Sequence, residues 1–512
     1  MNILFLYPHP AEKRREIYRE AALTLRDRFG HGVVFVHIGV KQRFDDNLAT
    51  EHFDGWVDSN RKLVETSSLL QLEKEFPRSN LWRSIVAQRT VTDYSYIGDS
   101  FPLQHRTLVE IEFWLKAVVL FYRHVLEKYS INLAVAHAPD CIHSHALYEL
   151  ARSRPFRAIN QYYDPYWQHG RYVTDEVSSS STVLHQCYRE NLKDYERRVL
   201  PKEPELEQLL ARCQAVDPRN VLVRQAWPTT LFTTFLASWK GVRSGWSGFR
   251  IGPVNILEAY YHPPLWPSVQ AWATRTCNLL ARRTFVRFSK QLPSGPFVLF
   301  APHFQPEAVT LAGAPVWSDM LALARILSAS LPAGYQLVVK DHPMIGGYRP
   351  PYFYRQVSRL PNVILLPENY SSLELIRRCD MVATVGGTIG LQGLMFDKPA
   401  LLFGPIYYGQ VTGVLRPPAD LNNLPDFLKD VLINHNFPQA RERKRSLLAF
   451  LAAYKSLLVF NPKFEKGTTS KERGEGLAEL INGWIENGDI GSHRNDIEEQ
   501  VQKVPGEASC VE

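Results

Sequence analysis

Unbroken apolar runs of four to six residues, rather than alternating ones, mark the strands of this chain. Residues 3–7 (Ile-Leu-Phe-Leu-Tyr) end against Pro8 and Pro10, a charged helical stretch covers about 11–29, and a second run occupies 33–38. Strands that are apolar on both faces belong to parallel sheets covered by helices. The pattern returns at 133–136, followed by a helical stretch over about 142–152, and a long helical segment spans 108–129. Residues 166–288 hold helical pieces and many tryptophans with no clear period, and no order of elements is read there.

A denser series begins near Pro296. Apolar runs at 297–300, 336–340, 363–366, 381–385 and 400–403 alternate with helical stretches at 319–330, 373–378 and 389–396. Strand, helix, strand at this spacing predicts a doubly wound parallel sheet. Helical pattern continues from about 425 to 485, and residues 488–512 are polar and patternless, which predicts a disordered tail. The division expected is 1–290, 291–487 with its closing helices, and the tail 488–512.

Composition narrows the class. At 512 residues the chain exceeds one ordinary core. Its 45% hydrophobic and 22% charged residues are those of a folded globular protein. The net charge of +7 favours anionic partners such as nucleotides, lipid headgroups or acidic sugars. It is too weak, and too free of basic-aromatic repeats, for nucleic acid. Six scattered cysteines without a C-x-x-C pair argue against a disulfide framework or a zinc site and suit a reducing cytoplasm. The N-terminus lacks the basic region and cleavage site of a signal peptide. The most membrane-like stretch, 113–125, is broken by Lys116 and Arg123, so a soluble or peripheral protein is expected.

The strongest chemical signal is Val385-Gly386-Gly387-Thr388-Ile389-Gly390, where a strand gives way to a helix. Glycines let the backbone approach a ligand, and the first-turn N–H groups with the helix dipole favour a phosphate. Thr388 is a candidate helix cap, phosphate donor, or both. The plain alternative is a tight turn with no ligand. Lys340-Asp341-His342-Pro343 also follows a strand, so His342 and Lys340 fall on the same rim, as candidates for binding phosphate; a solvated loop histidine is the alternative. Ala301-Pro302-His303-Phe304-Gln305-Pro306-Glu307 lies past another strand. Glu307 and His303 are the catalytic candidates there, with the carboxylate as base, nucleophile or hydroxyl anchor. A capped proline turn is the alternative. Tyr407 and Tyr408, with Gln305, are candidates for a sugar pocket. In the first half, the Tyr7–Pro10 and His137–Asp140 stretches end strands and are expected to face the cleft. His143 and His145, two apart on a helix, do not share a face and predict no metal site. The basic run at 441–445 reads as a solvated helix face, with membrane contact the minority reading.

Taken together over residues 297–409, the His303-to-Glu307 segment, the Lys-Asp-His-Pro segment, and the stretch from Thr384 to Leu394 followed by Lys398-Pro399 and Phe403-Gly404 resemble the capsule-polysaccharide synthesis family, which includes capsule β-Kdo transferases. The resemblance implies a GT-B-like α/β fold: two Rossmann-like doubly wound domains facing a cleft, plus C-terminal helices. It places the nucleotide-sugar donor on the C-terminal half, its phosphate held by His342 and by Gly387 with Thr388. Relatives tend to carry Glu where this chain has Gln392, at the position that contacts the donor ribose; an amide can bond a hydroxyl there without charge. The implied activity is glycosyl transfer to a growing surface glycan or glycolipid, with Kdo from CMP-Kdo suggested and a UDP sugar as alternative. No cofactor and no metal are expected, since no Asp-x-Asp motif occurs in the matching stretch. The implied place is the cytoplasm, in peripheral contact with the inner membrane or the capsule assembly machinery. A nucleotide-sugar 2-epimerase and a non-catalytic assembly or export partner are the alternatives.

Overall fold

The structure, a computed structural model, describes residues 1–6, 12–38, 48–87, 107–136, 139, 141–163, 170–177, 180–196, 207–208, 210–211, 214, 265–289, 291–305, 309–342, 345, 347–464 and 467–487. The expected tail at 488–512 and most of the unread 166–288 region lie outside these residues.

The first sheet is built from β1 (Asn2–Leu6), β2 (Gly32–His37), β3 (Ala49–His52), β4 (Leu133–Val135), β5 (Arg157–Tyr163) and β6 (Gly170–Thr174). Its helices are α1 (Glu12–Asp27), α2 (Phe53–Ser59), α3 (Arg61–Thr66), α4 (Leu69–Glu75), α5 (Leu81–Ala87), α6 (Leu108–Lys128) and α7 (Ile142–Ala151). β5-β4-β1-β2-β3 run parallel, and β6 turns back antiparallel on β5. The central strands β1, β2 and β4 each feed two cores. Leu4 and Leu6 pack with α5 to α7, while Ile3 and Phe5 face α1, which explains why both parities of β1 are apolar. α6 starts where Thr107 accepts the Glu110 amide, a side-chain cap. Among the described residues no helix is long and apolar enough to cross a membrane.

α8 (Thr182–Glu196) and α9 (Leu265–Phe285) lead to the second sheet. Its strands are β7 (Phe297–Phe300), β8 (Gln336–Lys340), β9 (Val363–Leu366), β10 (Met381–Thr384), β11 (Ala400–Leu402) and β12 (Val414–Leu415). All six are parallel, in the order β12-β11-β10-β7-β8-β9. The doubly wound sheet expected from residue 296 onward is present. α10 (Met320–Ser330), α11 (Pro351–Val357), α12 (Ser372–Arg378), α13 (Thr388–Met395) and α14 (Leu424–Leu432) cover its faces. A π-helix at Val309–Gly313, not read from the sequence, follows β7.

The closing segments depart from the expected division. α15 (Ala440–Leu457) packs on α8 through a core shared by Tyr172, Leu184 and Tyr188 with Phe450 and Tyr454. β13 (Val459–Phe460) then pairs antiparallel with β6 in the first sheet. α16 (Ser470–Asn487) lies on α1, where Leu477, Leu480 and Ile481 complete the core over Ile3 and Phe5. Among the described residues, the apolar flank of α1 is covered by α16.

Candidate functional site

Parallel strands release the chain at one edge, where ligands bind in open α/β sheets. The structure therefore brings four segments together: residues 301–305 after β7, Asp341 and His342 after β8, Gly386-Gly387-Thr388 after β10, and Phe403 to Tyr408 after β11. His303, Lys340, His342 and the glycine turn share this rim. Glu307 lies outside the described residues, with Pro306 and Pro343; so do Tyr7, Pro8, His9, Pro10, His137 and Asp140.

His303 is buried, and its Nε2 accepts the Gly386 N–H at 3.0 Å, with Thr384 Oγ1 at 3.2 Å. A ring nitrogen that accepts a backbone N–H carries no proton, so the ring is the neutral Nδ1–H form. His303, a catalytic candidate from the sequence, uses its Nε2 to brace the glycine turn, and the Gly386 N–H is thereby used. The His303 carbonyl accepts from Arg349 Nη2 at 2.6 Å. Arg349 forms a buried fork with Asp341, at 2.7 and 3.2 Å. Asp341 also accepts the Tyr354 hydroxyl and the His342 amide, each at 2.8 Å. Burial, then the Asp341 charge, raises the Tyr354 hydroxyl well above its ordinary pKa, so it stays a donor. Four bonds satisfy this carboxylate, as a buried charge requires. One network thus fixes the ends of β7 and β8 under the turn.

Gly387 is the N-cap of α13 and no side chain caps it, so Thr388 is the first helical residue; of its two candidate roles, cap and phosphate donor, it does not fill the first. The Gly387 N–H goes to Thr384 Oγ1 at 3.3 Å. By helix geometry the Thr388 and Ile389 N–H groups have no intrahelical acceptor and point out of the first turn. Gln392 is four residues on, hence on the same helix face as Thr388, and is buried. Two glycines are needed for the packing: a Cβ on Gly386 would sit 2.9 Å from Val309 Cγ1, and one on Gly390 would sit 2.3 Å from the Tyr408 hydroxyl.

The expected sugar-pocket residues lie elsewhere. Tyr407 and Tyr408 are completely buried. The Tyr408 hydroxyl donates to the Gly387 carbonyl from beneath the turn, and Tyr407 stacks on Tyr454 with ring centroids 5.4 Å apart. Gln305 is buried and its Nε2 donates to the Ser318 carbonyl, tying the loop to the start of α10. Lys340 is buried as well, with Nζ on the Asp341 carbonyl at 3.4 Å. His342 remains partly exposed, its ring 5.9 Å from that of Phe304.

The first domain reaches this rim through α5. Arg83 holds Glu149 at 3.3 Å and donates to the Ala312 carbonyl at 3.3 Å, in the π-helix whose Val309 abuts Gly386. His143 and His145 are buried in α7, and burial pushes both down to about 3. Among the described residues no three His, Cys, Asp or Glu side chains gather as a metal site needs. Thr384, Asp341 with Arg349, and the true place of Tyr408 were not read from the sequence; Asp341 lay inside a flagged motif, whereas nothing near Arg349 singled it out.

Residues 294–416 match the model of a family described as capsule polysaccharide biosynthesis protein. No curated protein matches the sequence. Among solved structures the chain is similar to Thermosulfurimonas dismutans KpsC, beta Kdo 2,7 transferase, with 12% identity, 71% of this chain and 90% of that one covered, and a TM-score of 0.33. It is similar to Anabaena HepE in complex with UDP and glucose, with 11% identity, 94% and 100% covered, and a TM-score of 0.29. It is also similar to UDP-GlcNAc 2-epimerase from Neisseria meningitidis, with 11% identity, 89% and 100% covered, and a TM-score of 0.23. The fold stands on the chain's own topology of two sheets with parallel cores.

Proposed function

We propose that this chain, whose second sheet carries the capsule polysaccharide biosynthesis domain, is a glycosyltransferase that binds a nucleotide-sugar donor at the carboxyl edge of that sheet. The observation that carries the reading is the braced glycine turn. His303 and Tyr408 hold its backbone from below, which leaves the Thr388 and Ile389 N–H groups at the start of α13 for a phosphate. A turn fixed by buried bonds reorganises little when charge develops on the leaving phosphate, which is the requirement for electrostatic catalysis.

On this reading His342, partly exposed at the end of β8, contacts the phosphate, and Gln392 reaches the donor ribose from the Thr388 face. Glu307 is the proposed base or nucleophile, a role resting on its place in the His-Phe-Gln-Pro-Glu segment. The acceptor would be a growing capsule or other surface glycan, and the protein would work in the cytoplasm at the inner face of the bacterial inner membrane. CMP-Kdo is the first donor to try.

The test has two stages. CMP, UDP, GDP and CDP are screened for thermal stabilisation; a ligand at a hundred times its dissociation constant stabilises by about 2.7 kcal/mol. The matching nucleotide sugars are then incubated with and without a glycan acceptor, and products are identified by mass spectrometry. Acceptor-dependent transfer is expected. An epimerised sugar formed without acceptor, or a donor bound and never turned over, would overturn the assignment.

A further inference from the structure

The basic groups that the sequence supplies to this rim are largely spent inside the fold. Lys340 is buried on a carbonyl, Arg349 is neutralised by Asp341, and Arg83 is paired with Glu149. One guanidinium differs. Arg416 follows β12, and the parallel register of β12 with β11 puts it on the same edge as the glycine turn. It is exposed, and among the described residues it pairs with no carboxylate.

Arg416 is nevertheless fixed. Its Nη1 donates to the carbonyls of Leu402, at 3.3 Å, and Gly404, at 2.5 Å. The Gly404 N–H in turn donates to the Val385 carbonyl at 2.7 Å, one residue before Gly386. The guanidinium lies against the backbone of Gly409 and within electrostatic reach of the Tyr408 hydroxyl, which itself holds Gly387. A guanidinium has five N–H donors in a rigid fork, and both fixing bonds use Nη1. The Nε and Nη2 donors remain for an anion.

We propose that Arg416 is a phosphate-binding residue of this site, supplying to the donor nucleotide the positive charge that Lys340 and Arg349 do not. This rests on the donor-site reading above and adds to it a residue beyond the three sequence motifs. The fork, oriented by loop carbonyls that are themselves bonded to the turn, pairs with phosphate oxygens while the Thr388 and Ile389 N–H groups bond them from the helix.

The test measures CMP and UDP binding by calorimetry at low and high salt for the wild type, Arg416→Gln and Arg416→Lys, with the melting temperature of each. Arg416→Gln is expected to lose about tenfold to a hundredfold in affinity for the nucleotide that binds. Its salt dependence should be shallower, since one ionic contact is gone. Arg416→Lys should regain part of the affinity and the wild-type salt dependence, because charge returns without the fork. Unchanged affinity in Arg416→Gln overturns this inference alone. So does a loss with wild-type salt dependence, which would make Arg416 only a brace of the Gly404 loop. Where the wild type binds neither CMP nor UDP, the same three proteins are titrated with GDP and CDP, and failure of the wild type to bind any of the four overturns this inference and the donor-site reading together.

Discussion

Acid should weaken this protein through two histidines that never see solvent, and His143→Leu isolates the effect. His143 is 1% exposed and packs edge-on against Phe53, with ring centroids 4.9 Å apart, and against Tyr122 at 6.5 Å. Among the described residues neither of its ring nitrogens has a hydrogen-bond partner. His145, two residues on, bonds Ser84 through Nδ1 at 3.1 Å. Burial lowers both from 6.5 to about 3, and for His145 the charges of Arg83 and Arg152 add to it. Between pH 6.5 and 3 the unfolded chain therefore holds these protons and the folded chain does not. Stability present above 6.5 is lost as the pH falls towards 3. Each group contributes about 1.4 kcal/mol per pH unit in that window, hence about 2 kcal/mol between pH 7 and 5, and about 4 kcal/mol for the pair. Against a total of about 5–15 kcal/mol this is a large fraction. His143→Leu removes no hydrogen bond and keeps an apolar side chain of similar volume. Urea unfolding of wild type and variant, followed at pH 7, 6 and 5, should show the variant gaining about 2 kcal/mol on the wild type by pH 5. A stability gap between the two proteins that is the same at pH 5 as at pH 7 would refute the reasoning.

Three further outcomes follow from the site. Asp341→Ala strands Arg349 in the interior and should cost about 3–5 kcal/mol by thermal or urea unfolding, whereas an exposed pair would cost under about 1; a loss below about 1 kcal/mol would show the fork to be solvated. Gly390→Ala should lower the melting temperature because its Cβ meets the Tyr408 hydroxyl, and Tyr408→Phe in the same chain should recover part of the loss; additive effects of the two changes would contradict the contact. Glu307→Gln should keep nucleotide affinity and lose most turnover if the carboxylate acts in the chemistry, while wild-type turnover would remove it from the site.

The amino-acid sequence determined the second sheet almost completely. A strand buried on both faces is apolar on both parities through its middle, so β7, β8, β9, β10 and β11 announce themselves as short runs, and parallel order puts their following loops on one edge. That argument needs no side-chain partner, which is why His303, Lys340, His342 and Gly387 could be assigned to one rim from spacing alone. Elements whose stability comes from neighbours were not legible. β3 is Ala-Thr-Glu-His, polar and on the sheet edge; β12 and β13 are two residues each and exist through the strands they join. Helix α16 has an apolar flank like many others, and only the tertiary structure decided that it covers α1. The same holds for roles within the site. A histidine or tyrosine after a strand reads alike whether it faces a ligand or the core. Tertiary structure turned His303 Nε2 onto an amide 83 residues away and Tyr408 beneath a carbonyl 21 residues away, making both of them supports for the turn. Such partners are chosen by packing between distant segments, and local pattern carries no record of that choice.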